Sequence, residues 1–249
     1  MGFRLADALG GGASSSAPPP DTRPDDRSGL SARAHRQLIG YIGLLLPILL
    51  LLITWLRRDD PDRPWRWQHS ISAYYYTGAV AVFVGLLFAL ALFLLAYRGY
   101  QNKYQVFDIA AAVIAGLAAL GVAFFPTKAP DGLQAARWWT DGTGVLHHVS
   151  AVILFAMFAV FSLWLFRMTG SPGALSADKR KRNSVYLACG ILIVLSVGWA
   201  GIAGWKKKSL FVPESTALVA FAVSWLVKGR AIKSIVDTAR SIGQKVTGS

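Results

Sequence analysis

Six apolar runs, at residues 38–56, 78–97, 107–125, 145–166, 184–203 and 211–227, leave this chain few ways to fold. At about 1.5 Å of rise per residue, a helix of ~20 residues covers the ~30 Å hydrocarbon core of a bilayer. The ten-residue alternation of a membrane β-barrel is absent. Only 16% of the residues are charged, and 54% are hydrophobic. A soluble domain carries roughly a quarter of its residues charged. The expected fold is all-α: a polytopic membrane helical bundle of six transmembrane helices, sequential neighbours antiparallel. The last run is short and begins "FVPESTALV", which suggests a tilted or partly re-entrant span.

Three regions follow from this pattern. Residues 1–36 are rich in Gly, Ser, Pro and Asp, the composition of a disordered tail. They lack the apolar core of a signal peptide, and Ala6 breaks the myristoylation pattern after Met1-Gly2. Residues 37–227 form the six-span domain. Residues 228–249 are basic, with Ile232, Ile235, Val236, Ala239 and Ile242 on one helical face, as in an interfacial amphipathic helix.

Lysine and arginine set the expected orientation. Of 26 in the chain, 17 fall in the two tails and the connections 98–106 and 167–183. The positive-inside rule then puts both termini in the cytoplasm, in a multi-pass inner-membrane protein. Lys206, Lys207 and Lys208 run against the trend. The net charge of +13 comes without a nucleic-acid-binding motif. Its expected counterparts are membrane lipids with anionic headgroups at the cytoplasmic face, above all near "DKRKRN" at 178–183. The single cysteine, Cys189, excludes a disulfide framework.

In the third span, Ala111, Ala115 and Ala119 recur every four residues beside Gly116. Such a stripe lets helix backbones approach closely, where dispersion is the main attraction in lipid. Asp108 opens that helix and reads as its N-terminal cap.

In this topology the polar chemistry gathers on the outer side. His69, His147, His148, Asp131, Asp141 and Glu214 lie there, with Asp59, Asp60 and Asp62. Trp65, Trp67, Trp138, Trp139, Trp205 and Tyr74 to Tyr76 join them, as interfacial aromatics do. Adjacent helical residues diverge by about 100°, so His147 and His148 cannot both point into one site. Glu214, the only glutamate, sits just inside an apolar run, where an ionisable group is costly. The candidate ligand-binding residues are His69, Ser72, Tyr75, His147, His148, Ser150 and Glu214. A zinc or iron site would draw on His69, His147 or His148, and a carboxylate from Asp131, Asp141 or Glu214. The HExxH and HxxxH spacings are both missing. A haem held by His69 and His148 is disfavoured, because both sit at the lip of the bundle. No residue is singled out as catalytic.

Several stretches carry a resemblance. "SISAYYYTGAVAVFVGLLFALALFLLAYRGY", "GLAALGVAFFPT", "LHHVSA" and "ESTALVAFAVSWLVKG" resemble an uncharacterised family of bacterial six-helix membrane proteins, a domain of unknown function. The resemblance covers residues 38–230 and implies bacterial origin and six helices, but no activity. A more distant analogy is to the alkaline ceramidase, adipoQ receptor and hemolysin III superfamily, membrane-embedded hydrolases using Ser, Asp and three His. It would match Ser70 or Ser72, His69, and His147 or His148. This chain departs from it in having six spans in place of seven, no HxxxH pair, and Asp108 at the opposite face.

Three functions compete. The first is a non-enzymatic protein whose outer aromatic, histidine and carboxylate face binds lipid, a small ligand or a partner. The second is a metal-dependent hydrolase of a lipid or amide, with a bound water as nucleophile. The third is a transporter subunit, disfavoured by the near absence of charges within the spans.

Overall fold

The computed structural model describes residues 31–57, 67–99, 102–130, 133–168 and 177–230. Among these residues every regular element is helical. Six α-helices follow in order: α1 Ala32–Arg57, α2 Val80–Leu95, α3 Gln105–Phe124, α4 Asp141–Leu163, α5 Ala177–Trp205 and α6 Phe211–Lys228. Two 3-10 turns accompany them, Ser72–Tyr76 before α2 and Leu165–Arg167 after α4. Five of the helices are long and apolar enough to cross a membrane, and α2 is a shorter apolar helix. The fold is thus an all-helical bundle with the build of a multi-pass membrane protein.

The helices close into a ring, since α1 packs on both α2 and α6 while each other helix packs on its sequence neighbours. Consecutive helices run antiparallel. His35 near the start of α1 meets Phe93 near the end of α2, and His147 near the start of α4 meets Phe125 just after α3. The ring's interior is aromatic at its centre and at one end. Phe158 and Phe221 stack at 3.6 Å, and Trp225 lies edge-on to Phe161, Phe166 and Tyr97.

Small residues set how closely the helices approach. The expected stripe on α3 is buried: Ala111, Ala115 and Ala119 are inside, with Ala112, Ala118 and Ala123 beside them. A Cβ on Gly116 would come within 2.8 Å of Leu95 and 3.1 Å of the Ala91 carbonyl. At the α1–α6 seam, a Cβ on Gly40 would meet Leu226 at 2.7 Å and the Ala222 carbonyl at 3.0 Å. Hydrogen bonds add to this packing: Ser162 on α4 donates to Ser224 on α6 at 2.9 Å, both fully buried.

Several boundaries differ from those read in the sequence. Helix α1 begins at Ala32, inside the segment assigned to the tail; residues 1–30 lie outside the described residues. The basic run at 178–183 forms the first turns of α5 instead of a connection. An irregular stretch precedes the second apolar run, where Ser72–Tyr76 forms a 3-10 turn, and α6 is a regular helix. Asp108 is not the α3 cap. The N-cap is Tyr104, with no side-chain capping bond, and Asp108 is buried. The amphipathic pattern at 232–242 lies outside the described residues.

Because the α1–α6 seam has no room for a branched side chain, Gly40→Val should destabilise the protein by about 1–3 kcal/mol through overpacking. Gly198→Ala, where nothing lies within 4 Å of the added Cβ, should leave stability unchanged or raise it. Thermal unfolding in a mild detergent compares the two.

Candidate functional site

The polar side chains of one rim converge on the stretch between Trp67 and Ala79. Its backbone is largely non-helical, so its N–H and C=O groups need partners that a regular helix would supply. Each end is tied down. The His69 carbonyl accepts from the amides of Leu210 and Phe211 and from the Ser209 hydroxyl. The Thr77 hydroxyl donates to the Tyr74 carbonyl and accepts from the Ala79 amide. Between them, Ser70 Oγ accepts from the Ala73 amide at 3.1 Å. Glu214 Oε2, in the first turn of α6, accepts from the Ile71 amide at 2.7 Å.

The histidine pair divides as helix geometry requires. His147 is buried and His148 exposed. His147 Nδ1 lies 2.6 Å from the Phe125 carbonyl, and Nε2 lies 2.8 Å from Ser72 Oγ. A carbonyl only accepts, so Nδ1 carries the proton. In the neutral imidazole Nε2 is then the acceptor, and the Ser72 hydroxyl donates to it. One side chain thereby joins α4, the end of α3 and the 3-10 turn. His148 turns its Nδ1 to the Gly144 carbonyl of its own helix, at 2.6 Å.

Residues outside the candidate ligand-binding set complete the rim. Tyr76 donates to the Thr127 carbonyl at 2.6 Å, and Trp139 Nε1 donates to the Pro126 carbonyl at 3.0 Å. Thr140 caps α4 in a reciprocal box with Thr143. The Tyr74 ring is buried, and its hydroxyl accepts from the Gln68 amide. Burial pushes the Tyr74 phenol up to about 12, so it stays protonated at any physiological pH. The aromatic run at 74–76 was a usable signal. Carbonyl partners leave no mark in a sequence.

The remaining candidates stand apart. His69 has an exposed side chain and contributes its backbone carbonyl. Asp141 is exposed in the first turn of α4. Tyr75 packs edge-on against Tyr76 and Phe83. Ser150 fills the space beside Gly121. Asp59, Asp60, Asp62, Trp65 and Asp131 lie outside the described residues. Among the described residues, no group of three or more His, Cys, Asp and Glu side chains is close enough together to hold a metal ion. The set expected for zinc or iron is therefore not assembled from them: His147 is engaged at both nitrogens, while His69, His148 and Asp141 face outward. His69 and His148, the pair weighed for a haem, are both at the surface.

The fold and this rim define a class, a multi-pass helical membrane protein with a hydrogen-bonded, partly 3-10 segment leading into its second helix. No family model, curated protein or solved structure matches the chain.

Replacing His147 removes two hydrogen bonds from a buried position and strands the Ser72 hydroxyl. His147→Phe should therefore cost about 2–4 kcal/mol, whereas His148→Ala should stay within about 0.5 kcal/mol. Glu214→Ala should cost more than Glu214→Gln, because the amide oxygen can still accept from Ile71. Unfolding midpoints of the four variants in one detergent test both orders.

Proposed function

We propose that this is a six-span inner-membrane protein with both termini in the cytoplasm, acting without chemical turnover. In this reading it holds lipid, a small amphipathic ligand or a partner against its outer aromatic rim. One observation supports it best. The rim's inward polar side chains, Ser72, His147 and Glu214, are already engaged within the bundle. Its outward ones, Trp67, His69, Trp138, His148 and Trp205, form a girdle suited to the headgroup region. Bacterial origin and membership of the domain of unknown function described above belong to the same proposal.

Single-cysteine labelling of intact cells tests the topology. A cysteine replacing Gln134 should react with an impermeant maleimide, and one replacing Ser249 should react only after lysis. Retention of lipid through detergent purification, read by native mass spectrometry, should fall in a Trp67→Ala, Trp138→Ala double variant of unchanged unfolding midpoint. Equal retention would remove the rim-binding reading.

A second reading rests on the Ser72–His147 geometry, which has the parts of an activated nucleophile. His147 Nε2 would take the hydroxyl proton as Ser72 Oγ attacks an ester or amide carbonyl. The proton would then pass to the leaving group, and water would release the acyl chain from Ser72. It replaces the metal-bound water of the hydrolase weighed as the alternative from sequence with a serine. A fluorophosphonate probe should then label the protein, with labelling lost in Ser72→Ala and kept in Ser70→Ala. No labelling of the folded protein retires this reading.

A further inference from the structure

The turn joining α5 to α6 presents three consecutive lysines, Lys206, Lys207 and Lys208, all of them exposed. Its backbone is held at both ends. On the α5 side, the Lys208 amide donates to the Ala203 carbonyl at 2.8 Å and the Lys207 amide to the Gly204 carbonyl at 3.0 Å. These are the paired bonds of a Schellman turn. On the α6 side, the Ser209 hydroxyl and the Leu210 amide donate to the His69 carbonyl. Lys207 occupies the left-handed position of the turn, with φ at 53°. Glycine takes this conformation without steric cost, whereas the Cβ of a lysine crowds the backbone there.

Capping accounts for one cation here, since the C-terminal end of a helix dipole favours positive charge. It does not account for three in a row, nor for a long side chain at the position glycine prefers. Among the described residues the three ammonium groups make no hydrogen bond or ion pair, so their charge is turned outward. The apolar groups beside them are equally uncovered. Trp205, the last residue of α5, is 84% exposed. Ile202, Leu195 and Ile191 continue its face along the helix, and all three are exposed. On the other side of the turn, the half-exposed Trp67 stacks on Phe211. A partner that meets both the cations and the apolar face of α5 carries negative charge directly above hydrocarbon. An anionic phospholipid has that build, and tryptophan rings favour the depth of its headgroup.

We propose that Lys206, Lys207 and Lys208, with Trp205 beside them, dock on anionic phospholipid headgroups of the leaflet that this end faces. The inference rests on the outer-rim reading and narrows its lipid to one with net negative charge. Each lysine near an anionic surface adds to the attraction. Trp205 sets the depth, and its neighbours along α5 meet the acyl chains. The Schellman turn and the His69 carbonyl already hold the three lysine backbones in place, so little order has to be gained on binding.

The test places the full-length protein in nanodiscs of equal parts phosphatidylglycerol and phosphatidylcholine. One lipid at a time carries a diazirine in its acyl chain, and photo-adducts on residues 191–210 are counted by mass spectrometry. Phosphatidylglycerol should give about threefold more adducts than phosphatidylcholine, or better. Changing all three lysines to Gln should bring the ratio to about one. Lys206→Gln with Lys208→Gln, which leaves the left-handed residue untouched, should give an intermediate ratio and reports even if the triple variant fails to fold. Arg180→Gln with Lys181→Gln, exposed near the other end of α5, should keep the parent ratio. A parent ratio near one overturns the proposal, as does a parent-like ratio in the folded double or triple lysine variant. The rim reading survives either result if lipid retention still falls in the Trp67→Ala, Trp138→Ala variant, so the two failures are told apart.

Discussion

Backbone amides and carbonyls at membrane depth must find their partners within the protein, because lipid offers none. The six helices meet this requirement by themselves. The stretch leading into α2 does not, since it is a 3-10 turn with irregular flanks, and the bundle around it is arranged to make up the difference. Glu214 from α6 serves one amide, Ser70 another, and the His69 carbonyl caps the entrance to α6. His147 connects Ser72 to the end of α3. The polar residues of this rim are thus tied to one irregular stretch of chain. Exchange of hydrogen bonds between α6 and residues 69–71 also makes α6 and the entrance to α2 depend on one another.

Much of this fold was legible because lipid imposes a simple pattern. Runs of about twenty apolar residues have one cheap solution, and the alternation of short connections fixes their antiparallel order. The Ala111, Ala115 and Ala119 stripe indicated a buried face, and that face is buried. The 100° step between neighbours required that only one of His147 and His148 face inward, and His147 is the buried one. Glu214 stood out as a carboxylate inside an apolar run. The irregular stretch before α2 was not legible, however. Pro213 looks like a breaker, yet it occupies the first turn of α6, where its missing N–H costs nothing. The break falls instead in "SISAYYYTG", whose β-branched and aromatic residues carry no punctuation until Thr77 and Gly78.

The chemistry of the rim was less legible than its location. A sequence shows which side chains can donate or accept but not which carbonyls await them. His147 therefore looked free to bind a metal, although Phe125 and Ser72 occupy both its nitrogens. Asp108 was read as a helix cap because it sits in a first turn, yet the packing of α3 buries it within reach of Lys228.

The brevity of α2 bears on the lipid around the protein. Sixteen residues of regular helix span about 24 Å at 1.5 Å each, short of the ~30 Å between the two headgroup layers. Were α2 to cross the bilayer as this helix alone, neighbouring acyl chains would have to shorten their reach by tilting or disordering on that flank. The molecule would therefore settle preferentially where the bilayer is already thin, or beside other proteins that share the same deformation.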